Sequence, residues 1–159
     1  MKALIVYDST YGNTEALAHA MQEALGKDCH AARAGTVRPA DLDDVELLIV
    51  GSPTQGGRPT APVNQFLDGI GRGALTSKTV AAFDTRFPHA EQRMALRLLM
   101  RAVGCAAPRI QRKLDRVGGR GAAAPEGFIV EGKEVPLRPG ERERAADWAL
   151  GLLSSPRNG

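Results

Sequence analysis

Short apolar segments alternate with longer amphipathic segments along most of this sequence. Residues 2–7, 47–50 and 78–83 are apolar runs of strand length. Residues 14–25 and 63–70, which lie between these runs, carry apolar residues at helical spacing. Strands that alternate with helices pair in parallel through right-handed crossovers, and the helices cover both faces of the sheet. The alternation therefore predicts an α/β fold built on a doubly wound parallel sheet.

The rest of the chain continues the pattern less regularly. It contains two weaker strand candidates at residues 29–34 and 128–130, and helical patterns at residues 90–103, 109–117 and 140–153. Gly104 and Pro108 interrupt the run between the first two of these helices. A chain of 159 residues is too short for two ordinary domains. We expect one domain over residues 1–153 and a disordered tail at residues 154–159.

Composition excludes several classes of protein. The chain is 43% hydrophobic and 25% charged, and none of its apolar runs approaches the roughly 20 residues of a membrane-spanning helix. The N-terminus lacks the features of a signal peptide, so we expect a cytoplasmic protein without a transmembrane segment. Cys29 and Cys105 lack CxxC spacing and are expected to be free thiols. His19, His30 and His89 are scattered without ligand spacing, and no metal site is expected.

Small polar residues fill the loop between the first predicted strand and the first predicted helix. Ser9, Thr10, Gly12, Asn13 and Thr14 bring hydroxyls and backbone N–H groups to a helix N-terminus, where the helix dipole favours an anion. The loop contains no lysine and matches neither GxxxxGK[ST] nor GxGxxG, which argues against a nucleoside triphosphate or a dinucleotide. A terminal monophosphate fits this loop better. The same residue types also occur in an ordinary turn with an N-cap.

Three segments together resemble the flavodoxin family. IVYDSTYGNT at residues 5–14, followed by Ala18, resembles the flavodoxin phosphate loop, although His19 stands where that family usually has an aliphatic residue. GSPTQGGRP at residues 51–59 and FDTRF at residues 83–87 are similar to the second and third flavin loops. The resemblance covers residues 1 to about 153. It implies a flavodoxin-like sheet of five parallel strands in the order 2-1-3-4-5 with helices on both faces.

The resemblance also implies a cofactor and a set of residues that bind it. The cofactor is flavin mononucleotide (FMN), with its phosphate in the first loop and its isoalloxazine ring between the other two. The implied cofactor-binding residues are Ser9, Thr10, Tyr11, Gly12, Asn13, Thr14, Pro53, Thr54, Gln55, Gly56, Gly57, Asp84, Thr85, Arg86 and Phe87.

The aromatic residues that could cover the ring are few. Trp148 lies in the last predicted helix and is expected in the core. Tyr11 and Phe87 remain as candidates, although Phe87 could equally be a core residue. Arg58 or Arg86 could lie over the carbonyl end of the ring. The Gly56-Gly57 pair could allow a peptide to reorient when the ring is reduced.

No Ser/His/Asp or Cys/His arrangement is visible, so no catalytic side chain is expected and the chemistry would reside in the cofactor. The leading hypothesis is an FMN-binding protein that transfers electrons to redox partner proteins. An alternative is an FMN-dependent NAD(P)H:quinone oxidoreductase, for which the partners are NAD(P)H and a quinone. A further alternative is a flavin-free module of the same fold that acts through a basic helix.

The region from residue 86 to residue 120 is strongly basic, with nine Lys or Arg against two acidic residues, a net charge of +7. Arg93, Arg97 and Arg101 share one face of the predicted helix at residues 90–103. This face could dock an acidic redox partner or an anionic lipid surface, or it could simply be solvated. Nucleic acid is not an expected partner, because no interleaved aromatic residues accompany the charge.

Overall fold

The computed structural model describes residues 1–87, 104–132 and 136–155. Within these residues the strands are β1 (Ala3–Tyr7), β2 (Cys29–Arg33), β3 (Leu47–Pro53), β4 (Thr79–Arg86), β5 (Arg120–Gly121) and β6 (Glu126–Ile129). The helices are α1 (Asn13–Leu25), α2 (Ala61–Asp68), α3 (Ala106–Arg116) and α4 (Glu141–Leu153), with two 3₁₀ turns at Ala34–Thr36 and Pro39–Leu42. The helix predicted at residues 90–103, with its arginine face, lies outside the described residues.

The strands form one parallel sheet in the order β2-β1-β3-β4, and β5 and β6 both pair with the outer edge of β4. Thr79 and Val80 pair with β5, while residues 83–86 pair with β6. The predicted order 2-1-3-4-5 is confirmed, with two short strands sharing the fifth position. The sequence predicted only the second of these, because Arg120 and Gly121 form too short and polar a segment to give an apolar signal.

Two buried clusters cover the two faces of the sheet. On one face, α2 and α3 contribute Val63 and Ile110, which pack with Val50 of β3. On the other face, α1 and α4 contribute Leu17 and Ala149. Burying an aliphatic side chain of this size stabilises a fold by about 1.5–3 kcal/mol. The prediction of helices on both faces is confirmed.

The predicted start of α3 was three residues late. The helix begins at Ala106 instead of residue 109, because Pro108 lies in its first turn. Proline is tolerated there, since the N–H group that it lacks would have no partner within the helix. The helix predicted at residues 63–70 begins earlier, at Ala61, and ends at Asp68.

Trp148 is partly buried and packs against the core, as predicted. Its ring packs edge-on against Phe83 and Phe128, with centroid distances of 6.3 and 6.1 Å. Such aromatic pairs add about 0.5–1.5 kcal/mol beyond their area of burial. The prediction of thiols without a disulfide is also confirmed, because Cys29 and Cys105 are not joined to each other by a disulfide bond.

None of the helices in the described part of the chain is long and apolar enough to cross a membrane. Among the same residues, no group of three His, Cys, Asp or Glu side chains is arranged to hold a metal ion.

Candidate functional site

A cavity of about 400 Å³ opens at the carboxyl ends of β1, β3 and β4. The chain runs outward from β1 to β2 and then returns past β1 to β3, so the strand order reverses between β1 and β3, beside this cavity. Its lining comes from Ser9, Thr10, Tyr11, Asn13, Thr14, Pro53, Thr54, Gln55, Gly56, Thr85, Arg86, Phe87, Val130 and Gly132. Its volume is within the range of about 300–1,000 Å³ that is typical of small-molecule sites.

Twelve of the fifteen residues predicted to bind the cofactor line this cavity. The three that do not are Gly12, Gly57 and Asp84. Val130 and Gly132 line the cavity but were missed by the sequence analysis. They follow β6, whose carboxyl end reaches the same edge of the sheet. The strand predicted at residues 128–130 was the signal that could have pointed to the loop after it.

The first loop is shaped by a turn at Gly12, which has a φ of +91°. Its N–H donates to Ser9 Oγ at 3.1 Å, closing the loop immediately before α1. Gly12 therefore shapes the loop instead of lining the cavity, because only glycine readily adopts this backbone conformation. Thr14 is buried in the first turn of α1, and its Oγ1 lies 3.1 Å from Thr85 Oγ1. The cavity thus meets a helix N-terminus, where the first N–H groups have no intrahelical partner.

The second loop is a tight hairpin. Gln55 and Arg58 exchange two backbone hydrogen bonds of 2.9 and 3.0 Å. Gly56 and Gly57 between them have φ values of +56° and +76°, and the positive φ of both residues is what a type I′ turn requires. Gln55 Nε2 donates to Thr10 Oγ1 at 3.3 Å, which links this loop to the first one. Arg58 is exposed and lies outside the cavity lining, and the proposed reorientation of a Gly56-Gly57 peptide stays a prediction.

The third loop is held by a buried ion pair. Asp84 is fully buried and accepts from Arg86 Nε at 2.6 Å and from a second guanidinium nitrogen at 2.9 Å. The N–H of Ala107 in α3 also donates to Asp84, at 2.8 Å. Asp84 does not line the cavity itself, but it holds the guanidinium of Arg86, which does. Gly127 allows the guanidinium to pack against the neighbouring strand, because a Cβ at this position would overlap it.

The lining of the cavity is mostly uncharged and offers groups that bind a ligand, with few that could act as an acid or a base. Tyr11 and Arg86 are the only ionisable side chains among the described residues that line it. Tyr11 is 54% exposed and Phe87 is half-buried, so two aromatic rings are available at the cavity surface. This arrangement suits a bound group that brings its own chemistry.

The sequence profile of the family described as flavodoxin matches residues 5–88, which is more than half of the chain. The chain belongs to the flavodoxin family. The oxidised flavodoxin 2 of Bacillus cereus has the same fold, with a TM-score of 0.75 and 19% identity over 96% of this chain and 98% of that one. An archaeal flavodoxin gives a TM-score of 0.71 with 21% identity, covering 96% of each chain.

Curated relatives carry a different name. An NAD(P)H dehydrogenase (quinone) of Azorhizobium caulinodans is 33% identical over 123 residues, covering 60% of this chain and 62% of the relative. A protein of the same name from Gluconacetobacter diazotrophicus is 32% identical over the same shares. This flavodoxin-family chain therefore spans less than two thirds of the length of these relatives.

The cofactor of this flavodoxin-family protein is FMN, and the cavity fits that group in two respects. Hydroxyls of Ser9, Thr10 and Thr14 meet the N-terminus of α1, which suits a phosphate. The half-buried ring of Phe87 and the exposed ring of Tyr11 suit a planar aromatic group.

Proposed function

We propose that residues 1–153 form one FMN-binding domain that transfers electrons to a redox partner protein. The phosphate is held by residues 9–14, the hairpin at residues 53–57 contacts the ring, and residues 84–87 complete the site. One observation carries this proposal: the loops after β1, β3 and β4 all contribute residues to the lining of the same cavity.

FMN, when bound, supplies the ability to accept and pass on electrons. The chain's own residues bind and orient it. Thr14 and the N-terminus of α1 hold the phosphate. The ion pair of Asp84 and Arg86 keeps the guanidinium fixed beside the cavity, and Tyr11 and Phe87, which line the cavity, would shield the bound ring from water.

An acidic redox partner is part of this proposal. Helix α3 begins at the cavity, where the Ala106 N–H donates to Thr54 Oγ1 at 3.1 Å. Arg112 and Arg116 lie four residues apart on its exposed side, and neither makes an ion pair with another described residue. We call this pair the α3 basic face. These two arginines lie six and ten residues along α3 from its start at the cavity, roughly 9 and 15 Å at the rise of a helix. Uncompensated positive charge on this side of the molecule attracts an acidic protein and speeds the encounter.

A cytoplasmic location is also proposed. It is supported by the reduced state of Cys29 and Cys105, which form no disulfide bond, as is typical of a reducing compartment.

A second candidate function is an NAD(P)H:quinone oxidoreductase. The observation that favours it is the name of the curated relatives, NAD(P)H dehydrogenase (quinone), which match 60% of this chain at 33% and 32% identity. In this case NAD(P)H and a quinone would react in turn at the exposed side of the ring.

One experiment separates the two candidates. Purified protein is loaded with FMN, freed of excess cofactor and titrated anaerobically with dithionite, and NADH and NADPH oxidation is then assayed with a soluble benzoquinone. Retained FMN that is reduced in two one-electron stages, without rapid NAD(P)H oxidation, supports the electron carrier. Single-stage reduction with rapid quinone-dependent NAD(P)H oxidation supports the oxidoreductase. Failure to retain FMN would contradict both.

A further inference from the structure

A cluster of charged and aromatic side chains lies behind the phosphate loop, outside the cavity. It consists of Tyr7, Asp8, Glu15 and Arg33, none of which lines the cavity. The cluster contacts Ser9, which does line the cavity. The cluster forms because Tyr7 at the end of β1 and Arg33 at the end of β2 are direct partners in the sheet. Arg33 thus reaches the loop from a neighbouring strand that is distant in sequence.

The Arg33 guanidinium joins the two ends of the loop. One of its terminal nitrogens donates to the backbone carbonyl of Ser9 at 3.2 Å. The other donates to Glu15 Oε2 in the first turn of α1 at 2.7 Å. A guanidinium is suited to this bridge, because its planar fork presents several donors in a fixed geometry. One side chain therefore sets the first residue of the loop relative to the helix that follows it.

The same contacts place the positive charge of Arg33 against the negative charge of Glu15, next to the loop. Glu15 and Asp8 place two carboxylates beside a site that suits a phosphate, and residues 9–14 contain no lysine or arginine. The Tyr7 hydroxyl donates to Glu15 at 2.9 Å and, together with Arg33, keeps the pKa of Glu15 below its ordinary value. Glu15 is therefore ionised at neutral pH. An uncompensated carboxylate here would repel a dianionic phosphate, and the positive charge of Arg33 offsets it.

We propose that Arg33 is a positioning residue for the phosphate of FMN. It anchors the Ser9 carbonyl so that the loop presents its hydroxyl and N–H donors, and it compensates the charge of Glu15 beside the phosphate. The inference rests on the proposed function, because it assigns a role to Arg33 only if FMN binds in this cavity.

The test compares FMN with riboflavin, which has the same ring system but no phosphate. Dissociation constants of both flavins are measured by quenching of flavin fluorescence, using the full chain stripped of cofactor and its Arg33→Met and Arg33→Lys variants. Arg142→Met is the matched control, since Arg142 is an exposed arginine of α4 that makes no ion pair with another described residue.

We expect Arg33→Met to weaken FMN binding by about tenfold or more, in line with the loss of a charge-assisted hydrogen bond. Riboflavin binding should change by less than about twofold, because riboflavin has no phosphate and effects at sites that share no contacts are nearly independent. Arg33→Lys should recover part of the FMN affinity, and Arg142→Met should bind both flavins as the unchanged protein does. The retained riboflavin affinity also shows that the variant is folded.

Glu15→Gln provides an independent arm, because it is expected to strengthen FMN binding severalfold by removing a negative charge near the phosphate. Equal losses of FMN and riboflavin affinity in Arg33→Met would overturn the proposal, and so would an unchanged FMN affinity. An unaltered or weaker FMN affinity in Glu15→Gln would overturn the charge compensation. If the unchanged protein binds neither flavin, the proposed function itself fails.

Discussion

The hydroxyl oxygens of Thr14 and Thr85 lie 3.1 Å apart and join the first turn of α1 to the end of β4. Both side chains are buried and both line the cavity. Each hydroxyl carries one proton, so the bond between them uses one and leaves one for a bound ligand. This pair therefore couples the proposed phosphate site to the third loop.

Thr14→Val should weaken FMN binding by about tenfold or more, because a donor to a dianion is lost and the Thr85 hydroxyl is left without its partner. Flavin fluorescence titration measures the change. Thr60→Val is the matched control, since the hydroxyl of this buried threonine has no hydrogen-bond partner among the described residues and lies outside the cavity lining. A similar loss of affinity in both variants would contradict a specific role for Thr14.

Gly51 of β3 is required by the packing of an aromatic ring. It pairs with Phe83 across the sheet, and a Cβ at Gly51 would overlap the Phe83 ring. Gly51→Ala should therefore lower the free energy of unfolding by at least about 2 kcal/mol, as overpacking of a core does. Urea unfolding followed by circular dichroism provides the measurement.

Gly151→Ala is the control for this prediction, because the same substitution is expected to stabilise the protein at this position. Gly151 lies within α4, and a Cβ there would meet open space. Alanine should raise the free energy of unfolding by about 0.5–1 kcal/mol, because glycine is unfavourable inside a helix. If Gly51→Ala had the same free energy of unfolding as the unchanged protein, the statement that the Phe83 ring leaves no space for a Cβ at Gly51 would be contradicted.

The parts of the fold that could be predicted are those with strong local patterns. The buried strands at residues 2–7, 47–50 and 78–83 are continuous apolar runs, and their carboxyl ends located the three loops that line the cavity. The loop at residues 9–14 could be interpreted because its residue types suit both a turn and an anion. Such signals depend on neighbouring residues alone.

Other features depend on contacts between distant residues and leave no local pattern. The bridge from Arg33 to Ser9 exists because β2 pairs with β1 in a register that places Arg33 beside Tyr7. Arg120 and Gly121 pair with β4 through their backbone, although neither side chain suits a buried strand. Pro108 misled the prediction of α3, because its effect depends on whether it lies inside a helix or in the first turn.

The α3 basic face should accelerate the reaction of reduced, FMN-loaded protein with an anionic acceptor. The double variant Arg112→Glu, Arg116→Glu should lower the second-order rate with ferricyanide severalfold at about 10 mM ionic strength, where the Debye length is about 30 Å. At about 1 M salt the difference should vanish, because the Debye length falls to about 3 Å. Stopped-flow absorbance of the flavin measures the rate.

Arg142→Glu is the control for that experiment. It changes a charge on α4, which packs with α1 on the opposite face of the sheet from α3. A fall in rate for Arg142→Glu equal to that for the single variant Arg112→Glu, which changes the net charge by the same amount, would show that net charge, and not the α3 basic face, governs the encounter. A rate unaffected by the double variant at about 10 mM ionic strength would contradict the proposed attraction of an acidic partner.

Cys29 should make the stability of the protein fall at alkaline pH. Its thiol is 2% exposed, and burial raises its pKa from 9.0 to about 11. The folded state therefore keeps the thiol protonated where the unfolded chain has lost the proton. The resulting stability is fully present below pH 9 and is lost as the pH rises to about 11.

The loss at pH 11 should be about 2–3 kcal/mol, since each unit of pKa difference corresponds to 1.36 kcal/mol. Cys29→Ala will have a lower free energy of unfolding throughout, because it leaves a small void, but it should lack the alkaline component. Urea unfolding at several pH values between 8 and 11 compares the two curves. The other ionisable groups are the same in both proteins, so the difference between the two curves reports on the Cys29 thiol. A difference that stays constant across this pH range would show that Cys29 ionises equally in the folded and the unfolded state, which would contradict the prediction.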